Sequence, residues 1–266
     1  MTPLPCRTGP ASTGAPMLWV HGYTLDGTIW GPSWQALPGW QHIALDLPGH
    51  GRARPLRPGE TLDGLAAEVI ATARAVGARH LVGMSFGGMV ALQAAISAPG
   101  AFDAVVLASP GLAGGPQDAE AATCNQALMR MARDRGIGPW LADRWMMSPP
   151  RIFDGSLTRP VLRERLAEVV AQHGWRELID GSMQGLQACA QTPESLARIT
   201  ARLLILVGGQ DMPAFLRSAE LLRRAVPGAQ RVVIEDAAHM CLLESPEASA
   251  AQIRAHLAPV AQMHDV

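Results

Sequence analysis

Short runs of apolar residues alternate along the chain with longer stretches in which apolar residues recur at helical spacing. Six runs are almost continuously apolar, at residues 17–22, 42–49, 80–85, 103–110, 202–209 and 230–237. Such runs are typical of buried strands in a sheet that helices cover on both faces. Helical patterns lie between them at residues 62–76, 87–98, 214–225 and 246–257. This alternation predicts an α/β fold with a mostly parallel, doubly wound sheet.

One long segment interrupts the alternation of strands and helices. Residues 111–185 carry helical patterns, for example at 125–135 and 160–172, but no convincing strand pattern. No linker or internal repeat divides the chain. We therefore expect a single domain over residues 1–266, with a core formed by 1–110 and 186–266. Residues 111–185 would form a helical lid inserted between two core strands.

The composition narrows the classes of function. With 48% hydrophobic residues, 17% charged residues and a net charge of −1, the chain of 266 residues gives no electrostatic reason to bind nucleic acid or an anionic membrane. All 22 basic residues are arginine, so chemistry that depends on a lysine, such as a Schiff base or a Walker-A site, is excluded.

Cysteine spacing and the first residues of the chain bear on metal binding and location. The four cysteines are widely spaced and include no CxxC pair, so we expect reduced thiols and no zinc site. The first 16 residues lack the apolar stretch of a secretory signal, and no apolar run approaches the ~20 residues that span a bilayer. We expect a cytoplasmic protein without cofactor or metal; a homodimer is possible.

The motif with the clearest chemistry is the G-x-S-x-G sequence of residues 83–87. It follows an apolar run directly and precedes a helical pattern directly, which predicts a sharp strand-to-helix turn with Ser85 at its apex. At the start of a helix, free N–H groups and the helix dipole favour developing negative charge. We interpret Ser85 as a nucleophile; a glycine-rich packing turn with an incidental serine is the alternative.

A serine nucleophile needs a base, and the base needs an acid to orient it. His239 follows the last predicted strand, and Asp211 follows the strand before it, so both lie at the strand ends where Ser85 also lies. The other seven histidines fit this position less well. Glu235 and Asp236 are too close to His239 in sequence to reach its ring easily. Asp211 could instead cap the following helix.

The order Ser85, Asp211, His239 is that of nucleophile, acid and histidine in α/β-hydrolases. The chain also resembles this family in its HG loop at residues 20–23, its D-x-x-G-x-G turn at 46–51 and its segment after the histidine at 239–247. These landmarks make it similar to single-domain α/β-hydrolases with a helical lid, of the esterase or enol-lactonase kind. Only about 16 residues precede the HG strand, so the N-terminal hairpin should be short or missing.

The resemblance implies that Ser85 attacks a carbonyl, that His239 transfers its proton and that Asp211 orients the histidine. It also implies that the backbone N–H groups of Tyr23 and Phe86 hold the oxyanion. Tyr23 is the only tyrosine of the chain, but this role does not involve its side chain. The predicted function is hydrolysis of a small carboxylic ester, lactone or thioester through an acyl-enzyme. Relatives of this kind also hydrolyse C–C bonds, eliminate small acids or sense ligands with very slow turnover, and these alternatives stay open.

The composition of residues 111–185 bears on the substrate. Its methionines and tryptophans could line an apolar, adaptable pocket or could pack the lid onto the core. Its arginines could grip a substrate carboxylate or could lie on solvated helix faces. The arginines in question are Arg130, Arg133, Arg135, Arg144 and Arg151. A small-molecule acyl compound is the expected partner in either case.

Overall fold

A single seven-stranded sheet forms the centre of the molecule. The computed structural model describes residues 2–186 and 188–258, so both ends of the predicted domain, Met1 and residues 259–266, lie outside the described residues. The strands lie in the order β1-β3-β2-β4-β5-β6-β7. Their bounds are β1 Cys6–Thr8, β2 Pro16–Val20, β3 Gln41–Leu45, β4 His80–Met84, β5 Ala104–Ala108, β6 Arg202–Gly208 and β7 Gln230–Ile234.

The six strands predicted from apolar runs are β2 to β7, and every neighbouring pair among them is parallel. The mostly parallel sheet is therefore confirmed. The sequence did not indicate β1, which has three residues and pairs antiparallel with β3. The N-terminal part of the sheet is thus as short as predicted.

Helices cover both faces of the sheet. The helices outside the segment between β5 and β6 are α1 Gly31–Ala36, α2 Leu62–Val76, α3 Phe86–Ser97, α10 Pro213–Ala225, α11 Cys241–Glu244 and α12 Pro246–Leu257. Helix α2 has the predicted bounds, because the Thr61 side chain caps its first turn and Gly77 ends it in a left-handed conformation. A 3-10 helix at Gly27–Trp30 precedes α1, and the sequence patterns predicted neither.

In its described residues, the segment between β5 and β6 contains helices joined by loops, and no strand. It contains α4 Ala119–Arg135, α5 Pro139–Trp145, α6 Pro160–Ala171, α7 Glu177–Asp180, α8 Ser182–Leu186 and α9 Pro193–Leu196, with a 3-10 helix at Arg151–Ser156. The sequence indicated α4 and α6 but not the shorter helices, whose patterns span too few turns to be periodic. Residues 111–185 of this segment are called the insertion below.

The sheet separates two hydrophobic clusters because strand side chains alternate between its faces. On β2, Leu18 and Val20 belong to one cluster, whereas Met17 and Trp19 belong to the other. The second cluster also contains apolar side chains of the insertion, including Trp145 and the fully buried Trp175. The insertion therefore packs on the face of the sheet where Met17 and Trp19 lie.

Candidate active site

Ser85 lies at a tight turn between β4 and α3. Its backbone is held at φ 56° and ψ −119°, a conformation that a residue with a side chain rarely adopts. Its amide donates to the carbonyl oxygen of Ala108 at 2.9 Å, which fixes the turn to the neighbouring β5. A Cβ atom at Gly87 would overlap the carbonyl oxygens of Val20 and His21, so only glycine lets α3 approach β2 so closely.

The three side chains predicted to act together form one continuous hydrogen-bonded series. His239 Nε2 lies 2.9 Å from Ser85 Oγ, and His239 Nδ1 lies 2.9 Å from Asp211 Oδ1. The sheet order explains this proximity, since β4, β5, β6 and β7 are consecutive neighbours and parallel strands end at one edge. His239 and Asp211 are buried, so solvent does not compete for their hydrogen bond.

The Asp211 carboxylate faces the histidine. Asp211 is not the N-cap residue of the following helix, which was the alternative role considered from the sequence. Asp211 Oδ1 accepts from His239 Nδ1 and, at 2.7 Å, from the amide of Met212. Met212 is the N-cap residue of α10. A carboxylate accepts and cannot donate when ionised, so His239 Nδ1 carries the proton and His239 Nε2 is free to accept from the serine.

Sequence reasoning missed Glu244, a buried carboxyl that holds the histidine loop. Glu244 Oε2 accepts from the amide of Ala238 at 2.5 Å, and Glu244 Oε1 accepts from the amide of Met240 at 3.1 Å. Burial raises the pKa of the Glu244 carboxyl, although the two amide bonds oppose that shift. The two bonds flank His239 on both sides. The only sequence signal was that Glu244 falls in the segment shared with α/β-hydrolases.

Replacement of Glu244 by glutamine should destabilise the protein. One carboxylate oxygen would become an NH₂ group that faces the Ala238 or Met240 amide, and a buried amide without an acceptor costs about 1–3 kcal/mol. We expect the free energy of unfolding in urea to fall by that amount. The matched change at exposed Glu247 should leave it within about 0.5 kcal/mol. Equal stability of the two variants would contradict the role of Glu244.

A small cavity opens beside Ser85. Its volume is about 20 Å³, and its wall is mainly apolar. The lining residues are Gly22, Tyr23, Leu25, Met84, Ser85, Trp145, Ile152, His239 and Met240. Tyr23 therefore borders the same space as the serine. Phe86 is the first residue of α3, and amides in a first helical turn have no partner within their helix.

The insertion contributes two apolar side chains to this cavity and none of the arginines considered above. Trp145 and Ile152 line it, whereas Arg130, Arg133, Arg135, Arg144 and Arg151 are absent from its described wall. Arg144 donates to the carbonyl oxygen of Pro149, and Arg151 pairs with Asp154. The structure thus favours the alternative in which these arginines lie outside the pocket.

The described part of the chain contains neither a metal-binding cluster nor a membrane-crossing helix. Within residues 2–186 and 188–258, no group of three or more His, Cys, Asp or Glu side chains is arranged to hold a metal ion. All four cysteines are free thiols. In the described part of the chain, no helix combines the length and the apolar character that crossing a bilayer requires.

Comparison with known proteins places the chain in a family. Residues 17–252 match the alpha/beta hydrolase family. The chain belongs to the alpha/beta hydrolase family. The match runs from Met17 in β2 into α12, so it covers β3 to β7, nearly all of β2 and all three residues of the hydrogen-bonded series. The α/β-hydrolase fold predicted from sequence is confirmed.

Individual relatives of this alpha/beta hydrolase differ in their chemistry. The dihydrolipoyllysine-residue acetyltransferase component of the acetoin cleaving system of Cupriavidus necator is 31% identical over 248 residues, which cover 91% of this chain and 63% of that protein. The pimeloyl-[acyl-carrier protein] methyl ester esterase of Neisseria meningitidis is 29% identical, with 88% of this chain and 90% of the relative covered. The chain therefore spans less than two thirds of the Cupriavidus relative and most of the Neisseria one.

Among solved structures, the thermophilic esterase of Thermogutta terrifontis superposes with a TM-score of 0.77 at 25% identity, covering 94% of this chain and 92% of that chain. Both the Neisseria relative and the Thermogutta protein are named as esterases.

Proposed function

We propose that this alpha/beta hydrolase is an ester hydrolase that cleaves small, uncharged carboxylic esters through an acyl-enzyme on Ser85. The observation that carries the proposal is the hydrogen-bonded series Ser85–His239–Asp211, whose serine borders a small, mainly apolar cavity. A serine hydroxyl is a weak nucleophile unless a base takes its proton, and His239 Nε2 is within hydrogen-bond distance to do so.

The proposed reaction has two halves. Ser85 Oγ attacks the ester carbonyl carbon while His239 Nε2 takes its proton, and the same proton then passes to the leaving alcohol as the C–O bond breaks. Water, deprotonated by His239, repeats the attack on the acyl-enzyme and releases the acid. The Asp211 carboxylate stabilises the imidazolium that forms in each half. The amides of Tyr23 and Phe86 would hold the oxyanion, where one such donor is typically worth about 10²–10³ in rate.

The size and lining of the cavity support a short acyl group. One water molecule needs a cavity of roughly 10–15 Å³. The 20 Å³ beside Ser85 therefore suits a methyl or ethyl group better than a long chain. Its described wall carries no charged side chain to hold an acidic acyl group. The Cupriavidus necator relative is named as an acetyltransferase component, and acetyl is an acyl group of this size.

A panel of p-nitrophenyl esters with acyl chains of two to eight carbons tests the proposal directly. We expect the highest kcat/KM for acetate and propionate and a steep fall from butyrate onward. A fluorophosphonate probe should label one serine, Ser85, and abolish turnover of every ester. Labelling at another serine, or labelling without loss of turnover, would contradict the proposed mechanism.

A smaller side chain at Ile152 should move the preference toward longer acyl chains. Ile152→Ala removes three carbon atoms from the cavity wall, and such a change in an apolar pocket is worth about 10–200-fold in discrimination per methylene. We expect kcat/KM for hexanoate to rise at least tenfold relative to acetate. Ile137→Ala, at an exposed position of the insertion, is the matched control and should leave the ratio unchanged. An unchanged ratio in Ile152→Ala would contradict the location of the acyl group.

The alternatives left open by the sequence are separate outcomes of the same screen. Lactones and thioesters would use the same residues and belong in the panel. Turnover confined to C–C cleavage or acid elimination would replace the proposal with that chemistry. Very slow ester turnover, with strong protection of the insertion from proteolysis by a ligand, would favour a sensing role.

A cytoplasmic location, the lid function of the insertion and a homodimer stay predictions.

A further inference from the structure

The loop that follows β2 is tied to the insertion through two side-chain hydrogen bonds. Tyr23 and Thr24 are consecutive in this loop, and Tyr23 carries one of the two amides proposed for the oxyanion. Each of the two residues forms a side-chain hydrogen bond with a residue of the insertion more than 100 positions away. The loop conformation therefore depends on contacts that the core alone does not supply.

The first tie joins the tyrosine hydroxyl to a buried carboxylate. Tyr23 Oη donates to Glu177 Oε1 at 2.6 Å, and His173 Nε2 lies 2.8 Å from the same oxygen. Burial and the nearby Glu177 carboxylate raise the pKa of Tyr23 well above its usual value, so the hydroxyl keeps its proton. Burial alone would raise the pKa of Glu177, but the bonds from His173 and Tyr23 outweigh it and lower that pKa. Glu177 is therefore an ionised acceptor at neutral pH.

The second tie holds a strained residue. Thr24 has a φ of 63°, in the left-handed region that β-branched residues avoid. Its Oγ1 donates to the carbonyl oxygen of Tyr23 at 2.7 Å and accepts from Trp145 Nε1 at 2.8 Å. Such a conformation persists only where the surroundings hold it. The indole of Trp145, which also packs edge-on against the Tyr23 ring at 5.5 Å, supplies part of that hold.

We propose that Glu177 and Trp145 are positioning residues that fix the Tyr23 amide for the oxyanion. The inference rests on the proposed function and adds to it: the insertion shapes the catalytic loop as well as the acyl cavity. Neither side chain acts on the carbonyl carbon. Each acts through Tyr23 or Thr24, because a shift of this loop moves the amide away from the developing charge.

Deletion of the tyrosine hydroxyl is the mildest test. Tyr23→Phe keeps the ring and removes only the bond to Glu177, so we expect kcat for p-nitrophenyl acetate to fall about 10–100-fold with KM within twofold, as for a loss confined to the transition state. Inhibition by a trifluoromethyl ketone, whose adduct with serine carries an oxyanion, should weaken in parallel. Thr72→Val is the control, because it removes a buried hydroxyl that bonds Leu4 far from the site. It should lower stability and leave kcat unchanged.

Changes at Glu177 test whether it acts through the tyrosine. Glu177→Gln keeps an oxygen for the hydroxyl and should retain most of kcat, whereas Glu177→Ala should match Tyr23→Phe. The double variant Tyr23→Phe/Glu177→Ala should lose no more than the more impaired single variant, since both remove one hydrogen bond.

The outcomes separate this inference from the function on which it rests. Kcat values of Tyr23→Phe and Glu177→Ala within twofold of the wild type, or losses that multiply in the double variant, would overturn the positioning role alone. A wild-type protein without Ser85-dependent ester turnover would overturn both. A parallel fall in stability and kcat in Thr72→Val would show that any buried hydroxyl has this effect, and would also overturn the positioning role.

Discussion

Ser85→Ala is expected to lower kcat on p-nitrophenyl acetate by about 10⁴–10⁶-fold, because loss of a triad nucleophile removes the covalent path and leaves only binding and the oxyanion amides. The change deletes one oxygen atom, which in the structure is bonded to His239 Nε2. The fold should survive, and circular dichroism with thermal unfolding checks that it does.

Ser97→Ala provides the matched control for this experiment. Ser97 is an exposed residue at the last position of α3, the helix that Ser85 precedes, so both changes remove a hydroxyl near an end of one helix. Ser97→Ala should retain wild-type kcat. Turnover by Ser85→Ala within about tenfold of the wild type would end the case for Ser85 as nucleophile.

Asp211→Asn is expected to lower kcat by about 10³–10⁴-fold without a comparable loss of stability, because an amide no longer fixes the histidine tautomer or stabilises its charge. Asp211 Oδ1 carries the bonds from both His239 and Met212. An asparagine oxygen that keeps the Met212 bond can keep the fold. The substitution leaves His239 beside a neutral side chain, so formation of the imidazolium becomes less favourable.

Asp236→Asn tests one of the two acids that lie close to His239 in sequence and compares it with Asp211. Asp236 is exposed and precedes His239 by three residues, whereas Asp211 is buried against the ring. The Asp236 variant should keep wild-type kcat. A large loss at Asp236 with a small one at Asp211 would reverse the proposed roles, and kcat measured on one ester for both variants decides between them.

Local patterns were sufficient to predict six of the seven strands and the three residues at one edge of the sheet. The six apolar runs correspond to six parallel strands. Ser85 follows β4 directly, and Asp211 and His239 lie within about five residues of the ends of β6 and β7. Parallel strands end at a common edge, so sequence order already brought the three residues near one another. The glycine spacing around Ser85 likewise follows from steric contacts within a few residues.

The cavity and the supports of the loops could not be predicted in the same way. Tyr23 and Glu177 are 154 residues apart, and their contact depends on how the insertion packs onto the sheet. The motifs assigned no role to the tyrosine side chain, whereas its hydroxyl is hydrogen-bonded to a buried carboxylate. The role of Glu244 could not be recognised from the sequence either. Its partners are two backbone amides, which every residue except proline has, so no side-chain pattern marks the contact. Tertiary packing of short helices leaves no periodic signal to read.

The bonds from Glu177 and Trp145 to the loop after β2 restrict how this enzyme can be rebuilt by recombination. A foreign segment joined between β5 and β6 would have to bring an acceptor for the Tyr23 hydroxyl and a donor for Thr24 Oγ1. A graft without them would leave the buried Tyr23 hydroxyl without its acceptor and would remove the indole donor from Thr24 Oγ1. Point substitution at Ile152 offers a gentler route to new substrates, since this side chain lines the cavity and appears in neither bond. Substitution of a residue in the cavity wall is therefore expected to disturb the loop after β2 less than exchange of the whole segment between β5 and β6.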